Sequence, residues 1–463
     1  MEASSSRGRS GSAVLKRRRG VGAATGSGST AQSLNDDILR SVFSRLDDHF
    51  DLPAAPPSAA HVCFSPRNRI IETAHLMRDL YYKRNPPAKG SSSNISVKSY
   101  FEMLAMDEHA SSFSRGPAEA FQWIGHPIRA TLCRMKSGSI LTGVGDKVLR
   151  LWSAESCKFM NEYNVPNSKT LVDFDFDENK VTTVGALSVS VIWVSLAVIV
   201  GLTSSQICIW RRSEPRSIFQ SGGASFNHGL CMSYADPEVV IGCEDGRAFV
   251  YDMYSRSCSS IYRLHSSPVT CLALTDDQLI VGGSTFGTVA IADQTSGQKL
   301  GVLKSAYAPL AIRSLSFCTN SHMIFAGSSA GYAHCWDLRT LRPLWEKRVS
   351  PNVIYSTRHL PGDTATLAVG GIDGVLRVIC QKTGEPIRCL VVDADRPAEA
   401  AASRSRSQIE KKPVRRIGPD AQVDSIPRRL RPQITSLSVG MKKIVTTHGE
   451  NYIRVWKFRP KSS

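Results

Sequence analysis

Four glycines in the second half of the chain recur at intervals of 41, 44 and 43 residues: Gly246, Gly287, Gly331 and Gly374. Each stands five residues before the residue that closes a β-type run. A period of about 40 to 45 residues is typical of a β-propeller blade, which is one small antiparallel sheet. The repeat therefore predicts a mainly β chain folded as a ring of sheets, which serves as a binding platform.

One repeat shows the strands of a single unit. Residues 269–274, 279–283 and 288–292 are β-prone runs separated by turn residues, and a fourth run begins near Gln298. Short strands of this kind cannot enclose a core alone. Stacked copies of the unit can, which explains why the unit has to recur.

The residue that ends the third strand of each unit gives the number of units. The intervals between these residues are 58, 41, 41, 44, 43 and 77. We therefore expect a seven-bladed β-propeller over residues 118–463. The last unit has no outer strand of its own, so we expect residues 120–124 to supply it and to close the ring. The third-strand ends are Trp152, Trp210, Tyr251, Ala292, Trp336, Ile379 and Trp456.

The interval of 58 residues contains an apolar segment, residues 184–202, without a charged side chain. Its length is that of a transmembrane helix, but membrane insertion would remove a blade from the ring, so we expect no membrane span. Omitting residues 181–198 joins Lys180 to Ile199 and restores an interval of 40. Our hypothesis is that this apolar insertion is foreign to the fold, such as a translated intron.

The interval of 77 residues contains a basic segment, residues 393–432, rich in Arg, Lys, Pro, Ala and Ser. A segment with so few large apolar side chains cannot offset the entropy cost of folding. We predict a solvated, disordered loop between the sixth and seventh blades.

Several short strings resemble the WD-repeat family, namely Gly125-His126, Arg150-Leu151-Trp152 and Cys335-Trp336-Asp337. In that family a His, a Ser or Thr, a turn Asp and a Trp form a buried hydrogen-bonded set. Only the first unit offers a near-complete version. The resemblance implies structural and not catalytic roles for His126, Thr142, Asp146, Trp152, Trp210, Asp245, Trp336, Asp373 and Trp456.

The N-terminal third begins with a Gly/Ser/Ala-rich tail, residues 1–32, which we expect to be disordered. It lacks an apolar core of signal-peptide length, so secretion is not expected. From Ser33 onwards apolar residues recur at spacings of three and four, the period of a helix with one apolar face. These residues are Leu34, Ile38, Leu39, Val42, Phe43 and Leu46. The periodicity alone fits a core helix of a small bundle.

The order of residues over 33–84, from Leu34-Asn35-Asp36-Asp37-Ile38-Leu39 to Asp79-Leu80-Tyr81-Tyr82-Lys83, resembles the F-box. The resemblance implies that the six apolar residues bind the Skp-type adaptor of an SCF-type ubiquitin ligase. It is interrupted over residues 53–66, where three prolines in five residues do not permit a regular helix. Residues 85–117 read as a linker with a short helix near residues 100–106. An F-box ahead of seven propeller units is the architecture of the F-box/WD-repeat substrate receptors.

The formal net charge of +17 is unevenly distributed. Residues 1–30 hold six Lys or Arg against one acid, and residues 393–432 hold ten against six. Basic clusters on such segments favour nuclear import or non-specific attraction to polyanions, so we expect the nucleus, the cytoplasm or both. The candidate import residues are Lys16, Arg17, Arg18, Arg19, Lys411, Lys412, Arg415 and Arg416.

The sequence offers few signs of chemistry. The twelve cysteines include no C-x-x-C pair, so we expect neither a metal site nor a disulfide framework. A G-x-S-x-G string at residues 327–331 precedes a predicted strand, whereas a nucleophile elbow precedes a helix. No nucleotide-binding loop or nucleic-acid-binding signature occurs. We expect no enzyme activity, no cofactor and no specific binding of nucleic acid.

These observations favour a non-catalytic substrate-recognition adaptor of an SCF-type ubiquitin ligase. The F-box-like module would bind the Skp-type adaptor and the cullin scaffold, and the propeller would bind a target protein. The alternative is a nuclear WD-repeat scaffold protein with no ubiquitin role, in which the N-terminal helices only brace the propeller.

Overall fold

The structure is a computed structural model of the chain. The residues that it describes belong to the larger of two compact units, which comprises Asp48–Phe50 and Leu76–Ser463. They are residues 97–136, 138–143, 147–165, 170–183, 192–211, 219–220, 226, 228–275, 277–305, 310–392, 409–418 and 423–460.

A long helix, α1 (Val97–Arg115), leads directly into the first strand, β1 (Ala118–Ile124). The sequence predicted a short helix near residues 100–106, and the helix found there extends to Arg115. Its buried residues are Ala105, His109, Ser112 and Phe113. Because residues three and four apart share one face of a helix, α1 buries one stripe of side chains against the strands that follow.

Seven antiparallel sheets follow, as the seven-bladed propeller predicts, and the first strand of each lies at the centre of the ring. Blade 1 contains β2 (Leu132–Lys136), β3 (Ser139–Gly143), β4 (Val148–Ser153) and β5 (Phe159–Asn164). Blade 2 contains β6 (Leu171–Thr183), β7 (Ile192–Thr203), β8 (Ile207–Arg211) and β9 (Phe219–Gln220). Blade 3 contains β10 (Gly229–Ala235), β11 (Glu238–Cys243), β12 (Arg247–Asp252) and β13 (Ser257–Arg263).

The remaining blades complete the ring. Blade 4 contains β14 (Val269–Leu274), β15 (Leu279–Ser284), β16 (Thr288–Asp293) and β17 (Lys299–Lys304). Blade 5 contains β18 (Ile312–Cys318), β19 (Met323–Ser328), β20 (Tyr332–Asp337) and β21 (Arg342–Arg348). Blade 6 contains β22 (Ile354–Arg358), β23 (Thr366–Gly371), β24 (Leu376–Cys380), β25 (Pro386–Val392) and β27 (Val414–Ile417). Blade 7 contains β28 (Ile434–Gly440), β29 (Lys443–His448), β30 (Tyr452–Phe458), β1 and β26 (Glu410–Lys412).

The repeated glycines mark the turn between the second and third strands of blades 3 to 6. Gly246, Gly287, Gly331 and Gly374 all have positive φ, between 73° and 84°. At Gly374 a Cβ atom would lie 1.9 Å from the carbonyl oxygen of Arg431. Only glycine fits this conformation and this close approach, which accounts for the recurrence of this residue in the sequence.

The third-strand ends also occupy one structural position. Trp152, Trp210 and Trp456 pair with Ile140, Ile199 and Ile444 of the second strands. The other four pair in the same way with Val239, Ile280, Ile324 and Leu367. All seven are buried, so the ends of the third strands form part of the core between blades.

The ring closes as the sequence predicted. β1 pairs antiparallel with β30 over its whole length, from Ala118 opposite Phe458 to Ile124 opposite Tyr452. The N-terminal strand therefore completes the C-terminal blade, and the free edge of β30 is covered.

The predicted disordered loop at residues 393–432 was partly wrong. β26 pairs with the outer edge of β1, and β27 pairs with the outer edge of β25. Pro413 separates the two strands, and a 3-10 helix at Val423–Ser425 follows. Residues 409–417, called the strap below, thus join the rims of blades 6 and 7. Composition missed the strap because its strands gain their stability from edges that lie far away in sequence.

The apolar insertion at residues 181–198 lies at the end of one hairpin. β6 and β7 pair without interruption from Asp173 opposite Leu202 to Thr183 opposite Ile192. The part nearest the ring, through Asp177 opposite Val198, keeps the register of an ordinary blade. Residues 184–191, between the two strands in the sequence, are outside the described residues. Whether the insertion is foreign to the fold stays a hypothesis.

Candidate functional site

The hydrogen-bonded set predicted for blade 1 is assembled around Thr142. The Oγ1 atom of Thr142 accepts from Trp152 Nε1 at 2.9 Å and lies 2.8 Å from His126 Nε2. Arg150 Nη1 lies 2.7 Å from His126 Nδ1. Because arginine can only donate, Nδ1 is the acceptor and Nε2 carries the proton that Thr142 accepts. The set fixes the strands of blade 1 to one another and leaves no nucleophile free, so its role is structural.

Blade 7 carries a second set of this kind, which the sequence analysis missed when it assigned a near-complete set to the first unit alone. Trp456 Nε1 donates to Thr446 Oγ1 at 3.0 Å, and this oxygen lies 2.9 Å from His448 Nε2. The histidine comes from β29, two residues beyond Thr446, and not from the connection before the blade. A search for a histidine ahead of the first strand cannot find it, whereas a Thr-x-His search on the second strand would.

The other predicted WD-repeat positions have different environments. Trp210 is fully buried and donates to the carbonyl of Asn164 at 3.3 Å. Trp336 stacks on His334, with ring centroids 5.3 Å apart. Asp245 accepts from the backbone of Arg247 at the surface. Asp373 is buried, accepts from Ser350 Oγ at 3.2 Å and forms an ion pair with Arg377, so it anchors blade 6 more firmly than its exposed counterpart anchors blade 3.

Several predicted residues lie outside the described part of the chain. These are Asp146, the F-box-like residues Leu34, Ile38, Leu39, Val42, Phe43 and Leu46, and the basic residues Lys16, Arg17, Arg18 and Arg19. The basic residues of the second cluster lie in the strap. Lys411 Nζ is 2.8 Å from Glu119, and Lys412 Nζ is 2.9 Å from Glu410. Arg416 donates to the carbonyl of Ile387, while Arg415 is exposed.

The inner strands of the seven blades line a central channel of about 460 Å³. The strand pairing places one residue of each first strand at the same level of the channel wall. We call these seven residues the channel ring: Arg134, Asp175, Ser233, Ala273, Ser316, Arg358 and Ser438. Mostly small side chains at this level keep the channel open.

Charged side chains in the channel lie on two sides of the ring. Arg134 pairs with Asp173 at 3.0 Å, and Lys136 pairs with Asp175 at 3.0 Å, so blades 1 and 2 are joined by two ion pairs. Arg358, in blade 6, donates to the carbonyls of Leu315 and Thr357. Among the described residues no carboxylate lies within ion-pair distance of it. Both carboxylates are therefore paired with cations of blade 1.

The pKa shifts follow this arrangement. Burial lowers the pKa of Arg134, but the carboxylates of Asp173 and Asp175 more than offset it, and the pKa lies above its usual value. Burial and the charge of Arg134 lower the pKa of Arg358 to about 10. Both guanidinium groups are charged at neutral pH, because even the lowered pKa of Arg358 lies well above 7.

The helix α1 covers part of one face of the ring. The turns between the first and second strands of the blades lie on this face, which we call the hairpin face. Lys442, in the turn of blade 7, donates its backbone N–H to His109 Nδ1 at 3.0 Å, and its Nζ pairs with Glu108 at 3.0 Å. Met106 lies beside Gly362 in the corresponding turn of blade 6.

The C-terminal end of α1 is tied to blade 6 by a buried arginine. Arg388 Nη1 donates to the carbonyls of Phe113, at 3.2 Å, and Gly116, at 2.7 Å. These are carbonyls that a helix end leaves without a partner. The ring of Phe113 also packs on Phe458 with centroids 4.4 Å apart. The helix is therefore a fixed part of the propeller.

The remaining motifs have ordinary structural places. In the G-x-S-x-G string, β19 ends at Ser328, and the motif serine, Ser329, lies in the turn before β20 begins at Tyr332. The string is thus a strand–turn–strand, as predicted. Within the described ranges, no three His, Cys, Asp or Glu side chains are grouped to hold a metal ion. The single long helix among the residues described does not have the length and apolar character of a membrane span.

Comparison with known proteins adds a family context. A search of protein-family models matched none of them. The chain is 43% identical over 439 residues to an F-box/WD-40 repeat-containing protein of Arabidopsis thaliana, and the match covers 92% of this chain and 94% of that protein. Its fold resembles the crystal structure of the computationally designed Ika8 protein with a TM-score of 0.51 and 17% identity, covering 73% of this chain and 98% of the other. The designed protein supports the fold alone.

Proposed function

The chain belongs to the F-box/WD-40 repeat-containing proteins, and on that premise we propose that it is a non-catalytic substrate-recognition adaptor of an SCF-type ubiquitin ligase. In this role residues 33–84 bind a Skp-type adaptor, which joins the cullin scaffold, and the propeller binds the protein to be ubiquitinated. The observation that carries the proposal is the match along 92% of the chain to a relative named for both modules.

The arrangement of α1 supports this division of labour. A receptor has to hold its target at a defined distance from the ligase, so a rigid connection is more useful than a loose one. On the propeller side α1 meets this need, because Lys442, Arg388 and Phe458 fix it to blades 6 and 7. We propose that the target binds the opposite face of the ring, which α1 leaves uncovered.

The test is co-purification of the full chain with a Skp-type adaptor and a cullin. Leu34→Asp and Phe43→Asp each place a charge on the apolar face that is proposed to be buried, where each side chain contributes roughly 1.5–3 kcal/mol. We expect either variant to lose the adaptor. Ser41→Asp, in the same segment but outside the apolar set, is the matched control and should keep it.

The outcome separates the two functional readings. A wild-type chain that retains other partners but never an adaptor or a cullin would contradict the ligase role and support the nuclear WD-repeat scaffold. Loss of the adaptor in all three variants would point to general misfolding of the segment, which circular dichroism of the purified variants would reveal.

We also propose that the protein resides in the nucleus, the cytoplasm or both, and that Lys16, Arg17, Arg18 and Arg19 direct any import. The second basic cluster is a weaker candidate because the pairing of the strap holds Lys411 and Arg416 against blades 7 and 6. Alanine at the four tail residues should move a fluorescent fusion towards the cytoplasm. Alanine at Lys411 and Arg416 should change its distribution less.

A further inference from the structure

The outer edges of the blades differ in what lies beside them. The strap adds β27 to the outer strand of blade 6 and β26 to β1, the outermost strand that closes blade 7. In the part of the chain that the structure describes, the sheet of blade 4 ends at its own fourth strand, β17. The outer backbone groups of β17 are therefore not used in a sheet, and such an edge is where an extended segment can pair.

One position shows what an added strand does to an outer edge. The outer strands of blades 4 and 6 each have a β-bulge beside the end of the third strand, where Leu300 and Ile387 are the extra residues. Ile387 packs against the same core cluster as Val414 of the strap, and its carbonyl accepts from Arg416 Nη2 at 3.2 Å. Leu300 is 49% exposed. Blade 4 thus leaves uncovered the apolar position that lies under an added strand in blade 6.

The two faces of β17 both offer apolar contacts. Leu303 is buried in the core that blades 4 and 5 share, and a Cβ atom on Gly301 would lie 2.7 Å from Leu341 Cδ1 of blade 5. Because successive side chains of a strand alternate, Val302 lies on the opposite face, where it is 41% exposed. Leu341 is itself 36% exposed. A strand beside β17 would therefore meet Leu341 on one face and Val302 on the other.

The rim around this edge is basic. The outer strands of blades 3, 4 and 5 together hold six Lys or Arg residues and one acid, Glu346. The side chain of Glu346 is 11% exposed and its Oε1 lies 3.2 Å from His334 Nδ1, so it adds little to the surface charge. Lys299 and Lys304 stand at the two ends of β17, and both are exposed. This charge favours a partner strand with carboxylates, since opposite charges across a strand pair are stabilising.

The same lysines disfavour a second copy of this chain as the occupant. Two β17 strands that paired antiparallel along their whole length would place lysine opposite lysine at both ends. Like charges directly opposite each other are destabilising, and lysine on an edge strand protects it against pairing with its own kind. The edge is therefore suited to an acidic strand of a different protein.

The other outer strands that the strap leaves uncovered each lack one of these features. The outer strand of blade 5 contains Pro343, which has no N–H for a ladder. Blade 3 has Ser259 at the bulge position, and the outer strand of blade 2 spans only Phe219–Gln220. In blade 1 the single charged residue of the outer strand is an acid, Glu162. Blade 4 alone among them combines apolar contacts with positive charge.

We propose that β17 is a docking edge for an extended, acidic segment of a partner protein, which pairs with it as a fifth strand of blade 4. Main-chain hydrogen bonds to the edge supply the affinity. Val302, Leu341 and the two lysines select apolar residues flanked by carboxylates. The edge lies on the circumference of the ring, apart from the face proposed for the target, so this docking site goes beyond the ligase role.

The probe is a fluorescently labelled peptide, Glu-Val-Thr-Ile-Val-Asp, which is as long as β17 and carries an acid at each end. We expect the full chain to bind it saturably, as measured by fluorescence anisotropy. Hydrogen exchange of the β17 amides should slow on binding, while exchange of β5 in blade 1 stays unchanged. The same peptide with lysine at both ends should bind about tenfold more weakly, because like charges then face each other.

Two variants of the edge test its chemistry. Val302→Glu places an acid at the exposed centre of β17 and should weaken binding of the acidic peptide by about tenfold. Lys304→Glu should weaken it as well and should shift the preference to the lysine-ended peptide, a reversal that misfolding cannot produce. The control is Lys158→Glu, at an exposed lysine of blade 1, which should bind the acidic peptide like the wild type.

Equal binding of the acidic peptide by the wild type, Val302→Glu and Lys304→Glu would overturn the proposal. So would the absence of saturable binding at millimolar peptide, or slowed exchange in another blade alone. Slow exchange of the β17 amides before peptide is added would also overturn it, because the edge would already be occupied. Sedimentation would then identify the occupant, a second copy if the chain is a dimer and a segment of this chain if it is a monomer.

Discussion

Additional residues have different consequences at the junction of blades 6 and 7 and in the hairpin of blade 2. At the junction β1, the strap and α1 all bind across the place where the ring closes. In blade 2 the added residues prolong β6 and β7 away from the ring, and the outer strand β9 spans only Phe219–Gln220. Extra chain at the closure reinforces the ring, whereas extra chain at a hairpin end leaves the register of the blade unchanged.

The closing strand offers the most severe test of the junction. Ala120 is fully buried, pairs with Trp456 and packs in the core shared by blades 6 and 7. Ala120→Asp would bury a carboxylate without a partner, and we expect a loss of more than about 4 kcal/mol in the free energy of unfolding. Chemical denaturation measures it. Ile124→Asp, at the exposed end of the same strand, is the control; a comparable loss there would show that β1 does not close the ring through its buried face.

Weakening the contact between α1 and the propeller should give the next largest loss of stability. Phe113 is 1% exposed and packs on His109 and Phe458. Phe113→Ala removes a buried ring and leaves a cavity, which typically costs about 3–5 kcal/mol. We expect hydrogen exchange to rise in β30 and β1 and to stay unchanged in blade 4. Ser111→Ala, on the exposed face of α1, should have little effect, and uniform exchange across all blades in Phe113→Ala would argue against local docking.

The sequence revealed the parts of this comparison that depend on local rules. The glycines with positive φ and the third-strand ends are set by turn geometry and strand period, so their spacing counted the blades. The strap was missed because Lys411 and Arg416 pair with β1 and β25, and β1 lies almost 300 residues away in the sequence. His448 was missed because it occupies an unexpected strand.

Lowering the pH should destabilise the junction of blades 6 and 7 more than it destabilises blade 2. Burial lowers the pKa of His109 to about 3 and lowers that of His448, in blade 7, well below its usual value, while the described strands of blade 2 contain no histidine. Both are neutral in the folded protein, and in the unfolded chain they take up a proton near pH 6.5. The unfolded state therefore binds more protons below that pH. The free energy of unfolding should fall by up to about 1.4 kcal/mol per pH unit for each histidine as the pH decreases from about 6.5.

His109→Gln tests how much of the pH dependence of the free energy of unfolding comes from α1. The amide keeps an acceptor for the N–H of Lys442 but cannot titrate, so the dependence between pH 6.5 and 5 should become shallower. Asp363, whose carboxylate lies 3.6 Å from His109, acts in the opposite sense near pH 4. Burial raises its pKa, so its protonation in the folded protein increases the free energy of unfolding as the pH falls. An unchanged slope in the variant would mean that other groups, including His359 and His448, account for the pH dependence.

Removing residues 181–198 should change stability least of all. The deletion joins Lys180 to Ile199, and Ile199 keeps its pairing with Phe176 and Trp210. Lys180 then takes the place of Val198 opposite Asp177, with Glu178-Asn179 as the turn. Blade 7 has this arrangement already, where Gly440 pairs with Lys443 around Met441-Lys442.

We therefore expect the shortened chain to unfold within about 1 kcal/mol of the full chain, the range of a surface change, and to aggregate less because an apolar segment is gone. An equal-length deletion of residues 174–191 removes buried Phe174 and Phe176 and should prevent folding of blade 2. If the two deletions destabilise the chain equally, the long hairpin supports the ring after all, and the contrast between blade 2 and the junction fails, because added chain would then be stabilising in both places.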